Sequence, residues 1–266
     1  MFAGVIGMEK RFVIQNEQYE IPCRLEVPDF GEVNRLVISV HGFCGSKDDA
    51  IQSTLGEEMA LFSYATLRFD FPAHGENPMT DRELTLENCS RTLLAVAQWA
   101  QEEYPEMQKC MFATGFGAFV TVVALEDLTE ILGSVRLVLQ TPSFRMAETL
   151  LSMKKITAED LRKQGRVTVG RVGDRKIEVP YSFYEELRGT MVYMDYEMPV
   201  LLIVGECDEV LNVEDVAHFR RINEQSKLVS IPGADHQFRT EGAWDMVVDL
   251  TRDWFECEQV LLCDYE

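Results

Sequence analysis

The chain has 266 residues, with 25 Lys and Arg against 45 Asp and Glu, a formal charge of −20. At about 150 residues per domain the length allows one large or two small domains, and a composition of 46% hydrophobic and 26% charged residues is that of a globular protein able to bury one large core. The acidity excludes nucleic acid and anionic membranes as expected partners, because phosphates select a basic stripe; otherwise it reads as a solvated acidic surface.

The opening stretch Met1–Met8 is apolar but lacks the basic flank of a signal peptide, and Met8 offers an alternative start. Arg11–Gln15 and Ile21–Val27 predict an antiparallel pair. Arg35–Val40 is a short apolar run ending at His41-Gly42, the pattern of a buried strand. A helical spacing over Asp48–Leu61 follows, then a strand over Ala65–Asp70 and a loop containing Pro and Gly. Thr85–Glu103 carries apolar residues on one face of a helix. Cys110–Ala113 predicts a strand, Ala118–Leu128 a helix, and Val135–Leu139 a strand. Farther on come the strands Pro199–Val204 and Lys227–Ile231 around a helix over Val213–Asn223, and a closing helix over Gly242–Phe255. Strands alternating with helices imply parallel pairing and right-handed crossovers, hence an α/β fold with a mostly parallel sheet covered by helices on both faces.

Residues 143–197 break this rhythm. Helical patterns over Ala147–Met153 and Thr157–Gln164 precede a hairpin with Gly173-Asp174 at its turn, then a segment rich in Tyr and Met that includes Tyr181, Tyr184 and Tyr193. The stretch reads as an inserted cap between two sheet strands, dividing the chain into a core of residues 1–142 and 198–266 and a cap of residues 143–197. No apolar run is long enough to span a membrane. The seven cysteines are odd in number and show no metal-ligand spacing, which fits reduced cytoplasmic thiols better than a disulfide frame or a zinc site. No cofactor or metal is expected, and a homodimer is left open.

In an open α/β sheet, ligands bind beyond the carboxyl ends of the strands. Three of the four histidines, His41, His74 and His236, fall in such loops. So do Asp70, the run Thr114-Gly-Phe-Gly-Ala118, and Gly205-Glu-Cys-Asp208.

With these pieces in this order, the chain resembles the α/β-hydrolase family over essentially its whole length. His41-Gly42-Phe43 matches the oxyanion loop, Arg68–Gly75 the loop after the fourth strand, and Ala113–Ala118 the nucleophile elbow. Gly205–Asp208 matches the acid loop and Gly233–Phe238 the histidine loop. Within the family, the Arg68–Gly75 loop, the cap with a hairpin and the Pro232–Phe238 run are similar to bacterial cinnamoyl/feruloyl-type carboxylesterases. The resemblance implies Asp208 as the acid, His236 as the base, the backbone N–H groups of Phe43 and Phe116 as oxyanion donors, and a small-molecule ester or acyl/aromatic ligand. His41, Tyr181, Tyr184 and Tyr193 are candidate substrate-binding residues. His41 reads equally as a hydrogen-bonding residue of its loop, and the aromatic segment equally as cap core.

The nucleophile departs from the pattern. Aligning G-x-S-x-G on Ala113–Gly117 puts Gly115 at the serine position, and a register slipped by two puts Gly117 there. Neither supplies a hydroxyl or a thiol. Thr114, Cys44 and Cys207 are nearby but off the elbow. Three readings follow: a weak or inactive hydrolase that binds a ligand, a hydrolase that activates water with His236, or another chemistry built on the His236–Asp208 base.

Overall fold

The computed structural model describes residues 7–16, 19–29, 31–196 and 198–257. The chain begins with strands β1 (Gly7–Gln15), β2 (Glu20–Pro28) and β3 (Arg35–Val40), helix α1 (Ala50–Leu61) and strand β4 (Tyr64–Phe69). Helix α2 (Leu86–Glu103), strand β5 (Gln108–Thr114), helices α3 (Phe116–Val123) and α4 (Leu125–Leu132), and strand β6 (Arg136–Gln140) complete the first part. Between β6 and the next strand of the main sheet stand α5 (Met146–Lys154), α6 (Ala158–Gln164), the hairpin β7 (Arg166–Val172) and β8 (Arg175–Pro180), and α7 (Tyr181–Gly189). Strand β9 (Val200–Gly205), α8 (Val213–Ile222), β10 (Lys227–Ile231) and α9 (Ala243–Glu256) close the described chain.

The main sheet has eight strands in the order β1-β2-β4-β3-β5-β6-β9-β10. Strand β2 runs antiparallel to both β1 and β4, and the remaining neighbours are parallel. The central strands read as continuous apolar runs because both of their faces are covered. Successive side chains alternate between two cores. Leu36, Ile38 and Val40 of β3, Met111 and Ala113 of β5, Leu137 and Leu139 of β6, and Leu202 of β9 pack with Leu93 and Val96 of α2 and Phe119 of α3. The intervening Val37, Cys110, Phe112, Val138, Leu201 and Ile203 pack with Leu55 and Met59 of α1 and Val247 and Trp254 of α9. The period of two along each strand thus sorts one sequence run into two helix-covered faces.

Helix starts follow local chemistry. The Asp49 carboxylate accepts the Gln52 N–H at the head of α1, and the Thr85 hydroxyl accepts the Asn88 N–H at the head of α2. Thr157 and Asp160 form a reciprocal capping box on α6.

Two expectations need correction. The helix predicted over Ala118–Leu128 is two helices that meet at Ala124; the Tyr- and Met-rich segment, to which no element is assigned above, contributes helix α7, which buries Phe183, Tyr184 and Leu187 together. Cys257 is disulfide-bonded, whereas Cys23, Cys44, Cys89, Cys110 and Cys207 are free thiols. Spacing along the chain does not decide which sulfurs come within bonding distance. Cys263 and residues 1–6 lie outside the described residues.

Candidate active site

A tight turn at the sheet's carboxyl edge joins β5 to α3 through Gly115, with φ 53° and ψ −109°. Positive φ is free of the Cβ penalty only for glycine. The Gly115 N–H donates to the Gln140 carbonyl at 3.0 Å, and its own carbonyl accepts the N–H groups of Phe119 at 3.2 Å and Ser143 at 3.3 Å. A Cβ placed on Gly115 would find no atom nearer than the Thr141 carbonyl oxygen at 4.0 Å. Gly117 is the opposite case. A Cβ there would lie 2.5 Å from the His41 carbonyl oxygen and 2.7 Å from that of Val40. Gly117 therefore lets α3 press against the end of β3, while Gly115 holds the turn and has room for a side chain.

On the far side of the cleft, the loops after β9 and β10 bring Asp208 and His236 together. His236 Nδ1 lies 2.8 Å from Asp208 Oδ2, and the other carboxylate oxygen accepts the Val210 and Leu211 N–H groups at 2.8 and 2.9 Å. The Asp208 side chain is 1% exposed and that of His236 is 32% exposed. Burial alone would raise the Asp208 pKa, but the hydrogen bonds from His236, Leu211 and Val210 outweigh it and hold the carboxyl below its ordinary value. The pairing through Nδ1 leaves Nε2 as the free ring nitrogen, the arrangement of a histidine oriented for proton transfer. Asp235 does different work. Its carboxylate accepts the Gln237 and Arg239 N–H groups and pairs with the Arg239 side chain, so it shapes the turn that carries His236.

The loop after β3 is held by buried polar groups. His41 is fully buried, with Nδ1 2.8 Å from the Gly42 carbonyl oxygen and Nε2 accepting the Phe71 N–H at 3.1 Å. His74 repeats the device: Nδ1 lies 2.8 Å from the Pro72 carbonyl oxygen and Nε2 accepts the Cys44 N–H at 3.1 Å. Both rings are therefore neutral with the proton on Nδ1. Burial, and then repulsion from His41, hold the His74 pKa down at about 3. The buried Asp70 carboxylate accepts the N–H groups of Lys47 and Glu76 and pairs with the Lys47 ammonium at 3.0 Å. Arg68 adds hydrogen bonds to the Lys47 carbonyl and the Glu26 carboxylate.

These loops enclose a cleft of about 590 Å³ whose walls include Phe43, Gly115, Phe116 and His236. The Phe116 N–H belongs to the first turn of α3, where donors have no intrahelical acceptor. The Phe43 N–H has no acceptor among the described residues. The Phe43 ring stands edge-on to Phe116 at 5.3 Å and stacks on Phe183 of α7 at 6.3 Å, and Phe183 also meets Phe116 at 6.1 Å.

Four expected binding residues lie elsewhere. His41 sits behind the cleft, with both ring nitrogens used within the protein. Tyr181 packs on Tyr184, and Tyr193 packs on His218 and Phe144, so none of the three tyrosines lines the cleft. One side of the cleft is formed by Met146, Thr149 and Met153 of α5. Thr141 and Ser143 also line it. They follow β6 directly, so the same strand-end rule points to them.

Of the alternative nucleophiles, Thr114 lines the cleft but turns its hydroxyl to the Gln140 side chain at 3.1 Å. Cys44 also lines it, and burial pushes its thiol up to about 11, which opposes thiolate formation. Cys207 is exposed and outside the lining. Among the described residues there is no cluster of three metal-ligating side chains, and no helix is long and apolar enough to cross a membrane.

No protein-family model matches the chain, and no curated protein matches it by sequence. Solved structures do match its shape. Est1E from Butyrivibrio proteoclasticus, with ferulic acid bound, is similar at 20% identity and a TM-score of 0.78, covering 91% of this chain and 97% of its own. The esterase domain of a Rhodothermus marinus protein is similar at 18% identity and a TM-score of 0.68, covering 93% and 97%. The dienelactone hydrolase of Anabaena variabilis is similar at 17% identity and a TM-score of 0.62, covering 94% and 97%.

Proposed function

We propose, from a chain that has the α/β-hydrolase fold, that this protein binds a small acyl or aromatic ligand in the cleft at Gly115 and is at most a weak ester hydrolase. The observation that carries this reading is the elbow itself. Gly115 has the turn, the positive φ and the free space of a nucleophile position, and no reactive atom. In this reading the Phe43 and Phe116 N–H groups receive the ligand's carbonyl oxygen, with residues 143–197 as the cap over a core of residues 1–142 and 198–266. Ferulic acid bound to Est1E supports a ligand of that size and kind. In a comparable serine hydrolase, losing the nucleophile costs about 10⁶ in kcat and leaves about 10³–10⁴ over water from the remaining site.

A second reading is favoured by the intact pair His236–Asp208 and the open space at Gly115. A water in that space would be deprotonated by His236 Nε2 and attack an ester carbonyl held by the two N–H groups. Assays with p-nitrophenyl acetate and a hydroxycinnamate ester separate the readings. The binding reading expects the native chain and His236→Ala to be equally inert, and Gly115→Ser to gain turnover and react with a fluorophosphonate. Native turnover that disappears in His236→Ala overturns it in favour of the water mechanism.

A further inference from the structure

The pair His236–Asp208 is arranged for a proton donor that the chain does not supply. The Asp208 carboxylate takes the Nδ1 side of His236 at 2.8 Å, so Nε2 carries a lone pair and accepts. The His236 side chain is 32% exposed and lines the cleft together with Gly115. At a serine elbow the side-chain hydroxyl would donate to this nitrogen; Gly115 has none, and its Cβ position has no neighbour nearer than 4.0 Å. The hydroxyls on the lining are placed otherwise. Thr114 turns its own to the Gln140 side chain at 3.1 Å, and Thr149 to the Arg145 carbonyl at 3.2 Å. Thr141 has φ at 42°, in the left-handed region that a β-branched residue avoids, and its hydroxyl is buried without a partner. Ser143 is tied through its N–H to the Gly115 carbonyl at 3.3 Å.

We propose that the space at Gly115 seats the hydroxyl of a small primary alcohol, which donates to His236 Nε2, and that the cleft transfers an acyl group from a bound ester directly to that alcohol. This rests on the reading of the cleft as an acyl-ligand pocket and adds a second substrate to it. Serine exceeds glycine by a hydroxymethyl group, and a primary alcohol returns the same CH2–OH unit from solution. The cleft walls include Phe43, Phe116 and Met146. Each methylene of the alcohol laid on such groups strengthens binding roughly fourfold, a gain that water lacks. A volume of about 590 Å³ leaves room for both reactants. In the reaction the alcohol oxygen bonds to the ester carbonyl carbon while its proton passes to His236 Nε2. The tetrahedral intermediate then breaks its bond to the leaving oxygen, which takes that proton back from Nε2. One ester and one alcohol become a new ester and a new alcohol, with no oxidation and no bond to the protein. The rate gain comes from holding the two reactants together beside an oriented base.

The full chain is assayed with p-nitrophenyl acetate and increasing ethanol or 1-butanol. Release of p-nitrophenol is expected to rise at least about tenfold and to saturate. Half-saturation should come at about tenfold lower concentration for 1-butanol, which has two more methylenes. Gas chromatography should find the alkyl acetate as the main product, and intact-mass measurement should find no acyl group on the chain. His236→Ala should reduce the saturable release at least about 10²-fold. Gly115→Ala, whose methyl group enters the seat, should raise the half-saturating concentration about tenfold. Release that rises only linearly with alcohol, stimulation that survives His236→Ala, half-saturation unmoved by Gly115→Ala, or an acyl adduct on Ser143 or any other residue overturns direct transfer. Free acetate as the main product at saturating alcohol gives the seat to water and overturns it as well. Calorimetric titration with methyl cinnamate tells the two failures apart: binding without any effect of alcohol sinks the transfer and leaves the pocket reading standing, and no binding overturns both.

Discussion

The imidazole rings of His41 and His74 lie 5.2 Å apart, each turning Nδ1 to a nearby carbonyl oxygen and accepting a loop N–H on Nε2. A proton added to His74 would destroy the acceptor that holds the Cys44 N–H, and it would be placed in a buried site beside a second ring. The site is thus built for a neutral base.

Acid should therefore loosen the loop after β3 and the fold together. The folded pKa of His74, about 3, lies below the ordinary value of 6.5, so the unfolded chain binds the extra proton between these limits. The contribution of His74 to stability is complete above about pH 6.5 and is lost progressively as pH falls toward 3, a change on the order of a few kcal/mol. Urea unfolding at pH 8, 6 and 4.5 should show this slope. His74→Gln should be less stable at pH 8 and show a flatter dependence.

The two elbow glycines should respond differently to a methyl group. Gly115→Ala meets no atom within 4.0 Å short of the Thr141 carbonyl, so its cost is that of positive φ, about 1–2 kcal/mol. Gly117→Ala drives a Cβ against two backbone oxygens, which cannot swing aside as a side chain would. Its cost should reach about 3 kcal/mol, the upper end of overpacking. Calorimetric melting of both variants should rank them in that order.

Once a nucleophile is restored, the acid should be needed to orient the base. In a Gly115→Ser background, Asp208→Asn should lower kcat by about 10⁴, since an amide in place of the carboxylate favours the wrong histidine tautomer. The same change in the native chain should leave ligand affinity nearly unaltered, as Asp208 lies behind His236 and not on the cleft wall. Single-turnover kinetics of the double variant and titration of the single one give the two readouts.

Lys47 tests whether the loop is held from behind. Its ammonium reaches Asp48, Asp70 and Glu76, and its side chain is buried. Lys47→Met leaves the Asp70 carboxylate buried without its counter-charge, and about 3–5 kcal/mol of stability should be lost. Chemical denaturation should show that loss, and most of it should return in Lys47→Met, Asp70→Asn.

Much of the fold was legible because strand runs such as Val200–Gly205 are apolar throughout and the helices between them are amphipathic. The site's charged partners were legible for a related reason: Asp208 and His236 follow β9 and β10, whose carboxyl ends must share one edge of the sheet. The binding surface was harder to read. Tyr181, Tyr184 and Tyr193 have the composition of a ligand wall, but a ring buries its area equally well on another ring, and here the partners are internal. His41 stands two residues before Phe43 in sequence, yet its ring is consumed by backbone groups of Gly42 and Phe71. Thr141 gave no compositional sign, because its strain and its idle hydroxyl arise only when β6 is placed between β5 and β9.

The ring of Phe183 gives the segment between β6 and β9 a role behind the cleft wall. It is buried, it comes from α7, and it meets the rings of Phe43 and Phe116, which both line the cleft. Removing α7 would uncover Phe43 and Phe116 together and take away the ring that packs on the loop after β3. Helix α7 is thus not a detachable element: a chain shortened there would lose rigidity at the cleft, and partial unfolding of α7 would be felt at Phe43 and Phe116 at once.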